Sequence, residues 1–455
     1  MCTVVDQARK FVPAVLKEGQ THGFGSRRGR GTAGTRFRGS GTQDGPSVRW
    51  AVMSADGDET LEFPDGFLWG AAGAAHQIEG GNTNNDWWDF EHAPGTRCAE
   101  SSGDACDSYH RWTEDLDLVA GMGLGAYRFS LEWSRIEPAE GEFSTAALEH
   151  YRRVCAGCHE RGIVPVVTFH HFTSPSWLAV RGGFEAADAP DRFARFVERS
   201  SAHLGDMIGR ACTINEPNVV GAMGYTIGDY PPGVKDDLAR HLAVNEAMVR
   251  AHRLAVEALR SGPGSYPVGL TLSMAEIVAD EGGEFTRDMA EEILEDTFLR
   301  ATEGDDFVGV QAYTRMHFGP EGPVADDPAV AQTQMGTENW PQAVAHCVRR
   351  AAEITGLPVL VTESGIATDD DGERIEYLGR ALRGVYACIA EGIDVGGYFV
   401  WSLLDNFEWN MGFGPKLGLH AVDRTTFRRT AKPSAAWYGA VARSNRLGPL
   451  PATGS

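Results

Sequence analysis

The sequence repeats one pattern eight times: a short apolar run rich in β-branched and aromatic residues, then a loop, then a longer stretch with helical periodicity. The longer stretches, such as 145–162 and 242–260, place apolar residues three and four positions apart, as amphipathic helices do. Continuous apolar strands predict a parallel sheet that is buried on both faces. The eight apolar runs cover residues 66–75, 125–133, 163–172, 210–217, 266–274, 306–314, 357–365 and 395–404.

This alternation predicts an α/β protein, a single (β/α)8 TIM barrel with extended βα loops. A doubly wound sheet is the alternative. It is the weaker one, because no G-x-G-x-x-G nucleotide fingerprint follows an early strand. The barrel domain is predicted to span residues 59–445.

The two ends of the chain differ from this domain. Residues 1–52 hold nine Lys or Arg against three Asp or Glu, and they show almost no periodic apolar residues. We interpret residues 1–58 as a basic Gly/Arg-rich N-terminal extension without stable structure, with RNA contact as the alternative for such a composition. Residues 446–455 are predicted to form a flexible C-terminal tail.

The charge balance restricts the partners. A formal net charge of -22 argues against general affinity for nucleic acid or an anionic membrane and favours a neutral or cationic small molecule. The sequence contains no run of about 18 apolar residues, so it predicts no membrane-spanning helix. The apolar block FVPAVL near the N-terminus is too short for a signal-peptide core, so we expect a cytoplasmic location.

The eight cysteines do not suggest a disulfide framework in so long a chain. Cys155 and Cys158 form a C-x-x-C, but no second pair follows and the surrounding residues have helical periodicity. Core packing is therefore the favoured interpretation over a metal or redox site.

Polar and aromatic side chains collect where the predicted strands end. In a (β/α)8 barrel the active site is built at the C-terminal ends of the strands, so these residues are expected to meet around one opening. They are His76, Gln77, Arg128, Glu132, His170, His171, Asn215, Glu216, Tyr313, Glu363 and Trp401.

Two of these residues are acids. Glu216 ends the fourth run and Glu363 the seventh, so the barrel would bring them together across its mouth. Paired carboxyl groups that flank a bond are the equipment for glycosidic cleavage. Aromatic residues such as Trp401 and Trp409 fit this interpretation, because flat side chains can pack on the apolar C–H faces of sugar rings. Metal-dependent hydrolysis is the rival, but no H-E-x-x-H or comparable spacing supports it.

Five motifs, in this order along the chain, closely resemble glycoside hydrolase family 1, the β-glucosidase family, over about Phe63 to Tyr438. This resemblance implies a (β/α)8 catalytic domain and a retaining hydrolase that acts on small-molecule β-glycosides and needs no cofactor or metal. The motifs are FLWGAAGAAHQIEG, YRFSLEWSRIEP, TINEP, VTESG and GYFVWSLLDNFEWNMGFGPKLGL.

The resemblance also implies individual roles. Glu216 matches the acid/base, Glu363 matches the nucleophile, and Arg128 and Tyr313 match residues that hold and tune the nucleophile. An arginine and a tyrosine hydroxyl would favour the ionised form of Glu363, whose charge would raise the pKa of Glu216. The residues that match substrate-binding positions are Gln77, His171, Asn215, Tyr313, Trp401, Glu408 and Trp409.

Four positions depart from the family pattern and are expected to surround the sugar or its aglycone: Phe172, Asn218, Gln311 and Ser364. Residues 275–304, between the fifth and sixth strands, form a shorter segment than is usual, which would open the aglycone side.

The predicted function is that of a retaining exo-β-glycosidase. The expected substrates are terminal β-D-glucosyl residues of cellobiose-like oligosaccharides and aryl or alkyl β-glucosides, with transglycosylation as a side reaction. One alternative is a 6-phospho-β-glucosidase, which the Glu408 carboxylate disfavours by repelling a phosphate. The other alternative is a catalytically silent sugar-binding relative, although such a protein would be expected to lack one of the two acids.

Overall fold

The centre of the fold is a closed barrel of eight parallel strands, seen in a computed structural model that describes residues 59–450. Consecutive strands pair with each other, and the last strand pairs with the first. Each strand begins within its predicted run, so the predicted (β/α)8 fold is confirmed. The strands are β1 Leu68–Ala72, β2 Ala126–Ser130, β3 Val164–His170, β4 Arg210–Asn215, β5 Val268–Ala279, β6 Phe307–Gly319, β7 Val359–Ser364 and β8 Val395–Trp401.

One helix follows each strand and packs on the outside of the barrel. Polar N-cap side chains begin several of them: Ser144 accepts from the N–H of Ala147, and Asp370 accepts from the N–H groups of Gly372 and Glu373. The helices are α1 Ser108–Met122, α2 Thr145–Glu160, α3 Ala189–Leu204, α4 Leu238–Ser261, α5 Glu284–Glu291, α6 Ala343–Thr355, α7 Asp371–Ala390 and α8 Pro433–Ser444.

The connections between the strands and the helices contain further short elements. β5 and β6 continue past the barrel as a paired ribbon, with Glu276 opposite Arg315 and Ala279 opposite Phe318. The short helical segments are Ala75–Ile78, Asp86–Glu91, Trp133–Ile136, Ser176–Ala179, Pro217–Gly221 and Thr297–Leu299, with π-helical turns at Ala222–Ile227 and Glu292–Asp296. Gly183–Glu185, Gly205–Met207, Arg300–Thr302 and Trp409–Met411 are 3₁₀ turns, and the small strands are Gly322–Pro323, His420–Val422 and Arg429–Ala431.

The inside of the barrel has an apolar floor. Ala126, Val166, Phe307 and Phe399 are buried there in one cluster with Cys212 and Leu360. The Phe399 ring fills the space beside Gly70, where a Cβ would lie 2.3 Å from it, so this position requires glycine. Toward the C-terminal ends of the strands the interior becomes polar, and this layer carries Arg128, Asn215, Gln311 and Glu363.

The two ends of the described chain meet at the opposite end of the barrel. Leu61–Glu62 pairs antiparallel with Arg446–Leu447, and the Asn445 side chain accepts from the Trp69 indole and donates to the Phe63 carbonyl. The prediction of a flexible tail from residue 446 is wrong for Arg446 and Leu447, because Leu447 is buried. The predicted extension 1–58 and residues 451–455 lie outside the described residues.

The cysteine pair lies in the helical shell. Cys155 and Cys158 are both buried in α2, which confirms the packing interpretation. Burial raises the pKa of the Cys155 thiol to about 12, so it stays protonated and unreactive at neutral pH. Within residues 59–450, no helix is long and apolar enough to cross a membrane, and no cluster of His, Cys, Asp and Glu is arranged to hold a metal ion.

Candidate active site

A cavity of about 250 Å³ opens at the C-terminal ends of the barrel strands. Two further predicted residues, Gln77 and Arg128, lie directly behind its wall and contact Glu408 and Glu363. The barrel therefore brings all ten predicted site residues together. The eight that line the cavity are His171, Asn215, Glu216, Tyr313, Glu363, Trp401, Glu408 and Trp409.

Glu363, at the end of β7, is held by three donors. Arg128 donates to Oε1, Gln311 donates to Oε1 at 2.8 Å, and the Tyr313 hydroxyl donates to Oε2 at 2.7 Å. These donors come from β2 and β6, which are rigid parts of the barrel, and the Glu363 side chain is only 6% exposed. The carboxylate is therefore fixed in one orientation toward the cavity.

Arg128 joins Glu363 to the neighbouring strands. Its Nη2 donates to Asn215 Oδ1 at 2.6 Å and to the Thr271 hydroxyl at 3.3 Å, and Gln311 also donates to Asn215 Oδ1, at 2.9 Å. The register of the strand pairing shifts beside Asn215 and beside Gln311, and such irregularities re-aim side chains. Asn215 Nδ2 has no hydrogen-bond partner within the described chain, which leaves a donor for a ligand.

Glu216 has a different setting. It follows β4 with a left-handed φ of 43°, and its backbone N–H donates to the Thr271 carbonyl at 2.9 Å. Phe172 and Trp409, which also line the cavity, have φ values of 66° and 49°. Non-glycine residues in this conformation concentrate at functional sites, where the surrounding structure enforces them.

The surroundings of the two acids shift their pKa values to different extents. Burial raises the pKa of Glu216 well above its usual range, and the charge of Glu363 raises it further. Burial also raises the pKa of Glu363, but the Arg128 charge and the Tyr313 hydrogen bond lower it. The upward shift is larger for Glu216, so Glu216 holds its proton more tightly than Glu363 does. Arg128 and Tyr313 act on Glu363 in the expected direction, but burial outweighs them and the pKa of Glu363 is raised overall.

Glu408 and Gln77 form a polar corner on the β8 and β1 side. The Gln77 amide donates to the Phe407 carbonyl at 2.9 Å and to Glu408 Oε2 at 3.5 Å. Burial, followed by the charge of Glu363, raises the pKa of Glu408 to about 8. Gln77 Oε1 has no protein partner in the described chain, so this corner can both donate to and accept from hydroxyl groups.

Flat rings line the same side of the cavity. His171 stacks on Trp401 with ring centroids 5.8 Å apart and on Trp409 at 6.0 Å. Burial, and then the Arg128 charge, lower the pKa of His171 well below its usual range, so the imidazole is neutral. His76 also stacks on Trp409, with ring centroids 5.9 Å apart.

Five of the predicted strand-end residues do not line the cavity, and two of these, Glu132 and His170, contact none of the ten predicted site residues directly through hydrogen bonds. Glu132 accepts from Ser134 at 2.7 Å and from Thr173 at 3.1 Å. His170 lies 3.3 Å from the Ser174 hydroxyl, and burial lowers its pKa to about 3. Both side chains hold loops in place above the barrel.

The four residues that depart from the family pattern lie in different places in the structure. Phe172 and Asn218 line the cavity, and Gln311 lies beneath it against Glu363. The expectation that all four surround the ligand is wrong for Ser364, which is fully buried beside Tyr377 and Tyr398. Its side chain follows Glu363 along β7 and therefore faces away from the barrel interior.

Two features of the site were not predicted from the sequence: the contact of Gln311 with Glu363 and the place of Tyr230 in the cavity wall. Gln311 stands two positions before Tyr313 on the same face of β6, and this spacing could have identified it as a donor to Glu363. Tyr230 lines the cavity and packs on Trp87 with centroids 4.7 Å apart. It comes from an irregular loop, so no periodicity pointed to it.

Comparison with known families matches this chain to Glycosyl hydrolase family 1 over residues 59–302 and 302–447. The chain belongs to glycosyl hydrolase family 1. Beta-glucosidase A of Thermotoga maritima is 33% identical over 441 residues, which cover 85% of this chain and 99% of the relative. Thermostable beta-glucosidase B of Thermobispora bispora is 34% identical over 451 residues, covering 87% of this chain and 93% of the relative.

Solved structures of the family agree with the fold. The crystal structure of beta-glycosidase BGL167 is 46% identical and superposes with a TM-score of 0.79, covering 86% of this chain and 99% of that one. The predicted family is confirmed, and the protein is a glycoside hydrolase related to β-glucosidases.

Proposed function

We propose that the protein is a retaining exo-β-glycosidase, a β-glucosidase that removes terminal non-reducing β-D-glucosyl residues. The observation that carries this proposal is the division between the two acids. Glu363 is oriented by Arg128, Gln311 and Tyr313, while Glu216 stands across the cavity with a raised pKa. One carboxylate is equipped to attack, and one carboxylic acid is equipped to protonate.

In the first step, a Glu363 oxygen attacks the anomeric carbon, the bond from that carbon to the aglycone oxygen breaks, and Glu216 gives its proton to the departing oxygen. Esterification removes the charge of Glu363 and with it a main cause of the raised pKa of Glu216. Glu216 then takes a proton from water, which attacks the anomeric carbon and releases Glu363. Two inversions leave the β configuration, and an alcohol in place of water gives transglycosylation.

The shape of the glycone side supports exo action. Gln77 is fully buried behind Glu408, and Trp409 packs against Trp87 with centroids 4.6 Å apart. This end of the cavity is closed, so it accepts one terminal sugar and not the middle of a chain.

The test is kcat/KM for 4-nitrophenyl β-D-glucoside, measured with wild type and with Glu363→Ala. We expect a loss of about 10⁴-fold or more, because the covalent step loses its nucleophile. Glu391→Ala removes a matched acid in an ion pair outside the cavity and is expected to keep wild-type activity. Proton NMR of early product is expected to show the β anomer. Near wild-type activity in Glu363→Ala, or the α anomer first, would contradict the proposal.

A 6-phosphorylated substrate fits less well. No Lys or Arg is among the described residues that line the cavity, so a phosphate would meet Glu216, Glu363 and Glu408 without a matching cation. We expect the unphosphorylated aryl glucoside to be preferred over its 6-phosphate, and the reverse order would contradict this choice. A silent sugar-binding role is disfavoured by the presence of both acids, and the cytoplasmic location stays a prediction.

A further inference from the structure

The cavity continues beyond Glu216 on the side opposite to Gln77 and Glu408. Because the strands follow each other around the barrel, the loops after β4, β5 and β6 lie across from those after β8 and β1. The walls of this part are apolar side chains. They are Met223, Ile227, Met274, Ile277, Leu294 and Met316, which we call the apolar arm.

The apolar arm is built on its own small core. Ile277 and Phe318, on the ribbon formed by β5 and β6, pack with Leu238 and Ala290, and Leu294 and Met316 pack against this cluster. The ribbon and the π-helical turn Glu292–Asp296 therefore support Ile277, Leu294 and Met316, while Met274 belongs to the main core. The arm is a formed surface that is continuous with the catalytic cavity.

Most polar groups near the arm already have partners. Asn218 Nδ2 donates to the Ser273 carbonyl at 2.8 Å, and the Thr314 hydroxyl donates to the Glu338 carbonyl at 2.9 Å. Glu295 accepts from the Ala275 N–H at 3.1 Å and from Arg350 at 2.8 Å. Asn218 Oδ1 is left as an acceptor without a partner in the described chain. A second sugar ring, with several hydroxyl groups to satisfy, would find few partners here.

We propose that the apolar arm binds the aglycone, and that the preferred substrates are β-glycosides of apolar alcohols and not β-linked disaccharides. The inference rests on the proposed function, since the arm receives the group that leaves when Glu363 attacks. Met223, Met274 and Met316 give the wall unbranched, flexible side chains that adapt to aglycones of different shape. The shorter segment 275–304 noted in the sequence forms one side of the arm.

The experiment measures kcat/KM for ethyl, butyl and hexyl β-D-glucoside and for cellobiose, with 4-nitrophenyl β-D-glucoside as the reference. The alkyl alcohols differ little in acidity, so chain length reports burial. Each methylene that enters the arm is expected to raise kcat/KM by about two- to fourfold, which gives more than about tenfold from ethyl to hexyl. Cellobiose is expected to fall below the hexyl glucoside.

A pair of methionine variants locates the effect. Met316→Ser places a hydroxyl in the arm and is expected to lower the hexyl-to-ethyl ratio of kcat/KM by about fivefold. Met289 packs on the same small core but does not line the cavity, so Met289→Ser is expected to leave the ratio unchanged. Equal ratios in wild type and Met316→Ser would overturn the assignment of the arm.

The outcomes separate the two proposals. The 4-nitrophenyl glucoside could be hydrolysed while kcat/KM stays the same from ethyl to hexyl glucoside, or while cellobiose is the better substrate. Either result would overturn the proposal of an apolar aglycone and leave the proposed function standing. Failure to hydrolyse any glucoside, the 4-nitrophenyl compound included, overturns both the proposed function and this inference.

Discussion

Glu363 and Glu216 carry the same side chain into one cavity, yet the barrel surrounds them differently. Around Glu363, strands β2 and β6 supply Arg128, Gln311 and Tyr313, all aimed at its two oxygens. Glu216 stands on the loop after β4 in a left-handed backbone conformation and opens toward the apolar arm. Position in the barrel, and not residue type, therefore gives the two acids the different surroundings on which their proposed roles depend.

Replacing Glu216 should have the largest effect in this comparison. In Glu216→Ala, we expect kcat/KM for alkyl glucosides to fall by about 10²- to 10⁴-fold, because an alkoxide cannot leave without a proton. For 2,4-dinitrophenyl glucoside, whose leaving group needs no proton, the rate of the first step should change far less. Stopped-flow kinetics with both substrates measures the difference, and equal losses would remove the acid role from Glu216.

Replacing Arg128 should have the second-largest effect. The guanidinium is 1% exposed and contacts Glu363 and Asn215, so Arg128→Met leaves a buried carboxylate without its cation. We expect the free energy of unfolding to drop by about 3 to 5 kcal/mol. The pKa of Glu363 should rise, so the acidic limb of kcat/KM should move to higher pH. Urea unfolding and a pH–rate profile test both effects, and an unmoved acidic limb would contradict the role of Arg128.

Tyr313→Phe removes one neutral donor and keeps the ring. The lost hydrogen bond stabilised the ionised form of Glu363, so its pKa should rise and activity should be lost at a higher pH when the solution is acidified. We expect kcat to fall by about tenfold near neutral pH, the size of one hydrogen bond to a charged group. If the basic limb of the pH–rate profile moves while the acidic limb stays in place, Tyr313 acts on the pKa of Glu216 and not on that of Glu363.

Gln311→Ala should give the smallest change. Gln311 shares Glu363 Oε1 with Arg128, so the stronger cation remains when the amide is lost. We expect a decrease in kcat/KM of about threefold, within the range of one neutral hydrogen bond. Gln311→Asn, which keeps the amide on a shorter side chain, is the matched control. A loss larger than that of Tyr313→Phe would reverse the assigned importance of the donors.

The strands could be predicted because burial on both faces makes them continuously apolar. The extensions of β5 to Ala279 and β6 to Gly319 were missed, since this ribbon leaves the barrel and pairs polar residues such as Glu276 and Arg315. The sequence pattern could not reveal that these extensions contribute to the apolar arm, because this wall depends on the pairing between two strands.

The acids could be placed from their positions at strand ends, but their neighbours could not be fully placed. The burial of Ser364 away from the cavity and the contact of Gln311 with Glu363 depend on which face each residue takes. Strand alternation indicates both faces, but the register shifts beside Asn215 and Gln311, which re-aim the side chains, leave no mark in the residue pattern.

The pairing of Leu61–Glu62 with Arg446–Leu447 brings the two ends of the described chain together on the end of the barrel that faces away from the cavity. A surface or a fused domain attached at either point would therefore leave the path of substrate free. Joining these points and opening the chain at an outer loop would give a circular permutant with the same barrel. The enzyme can thus be attached at the end of the barrel opposite the cavity while the cavity opening stays exposed to solution.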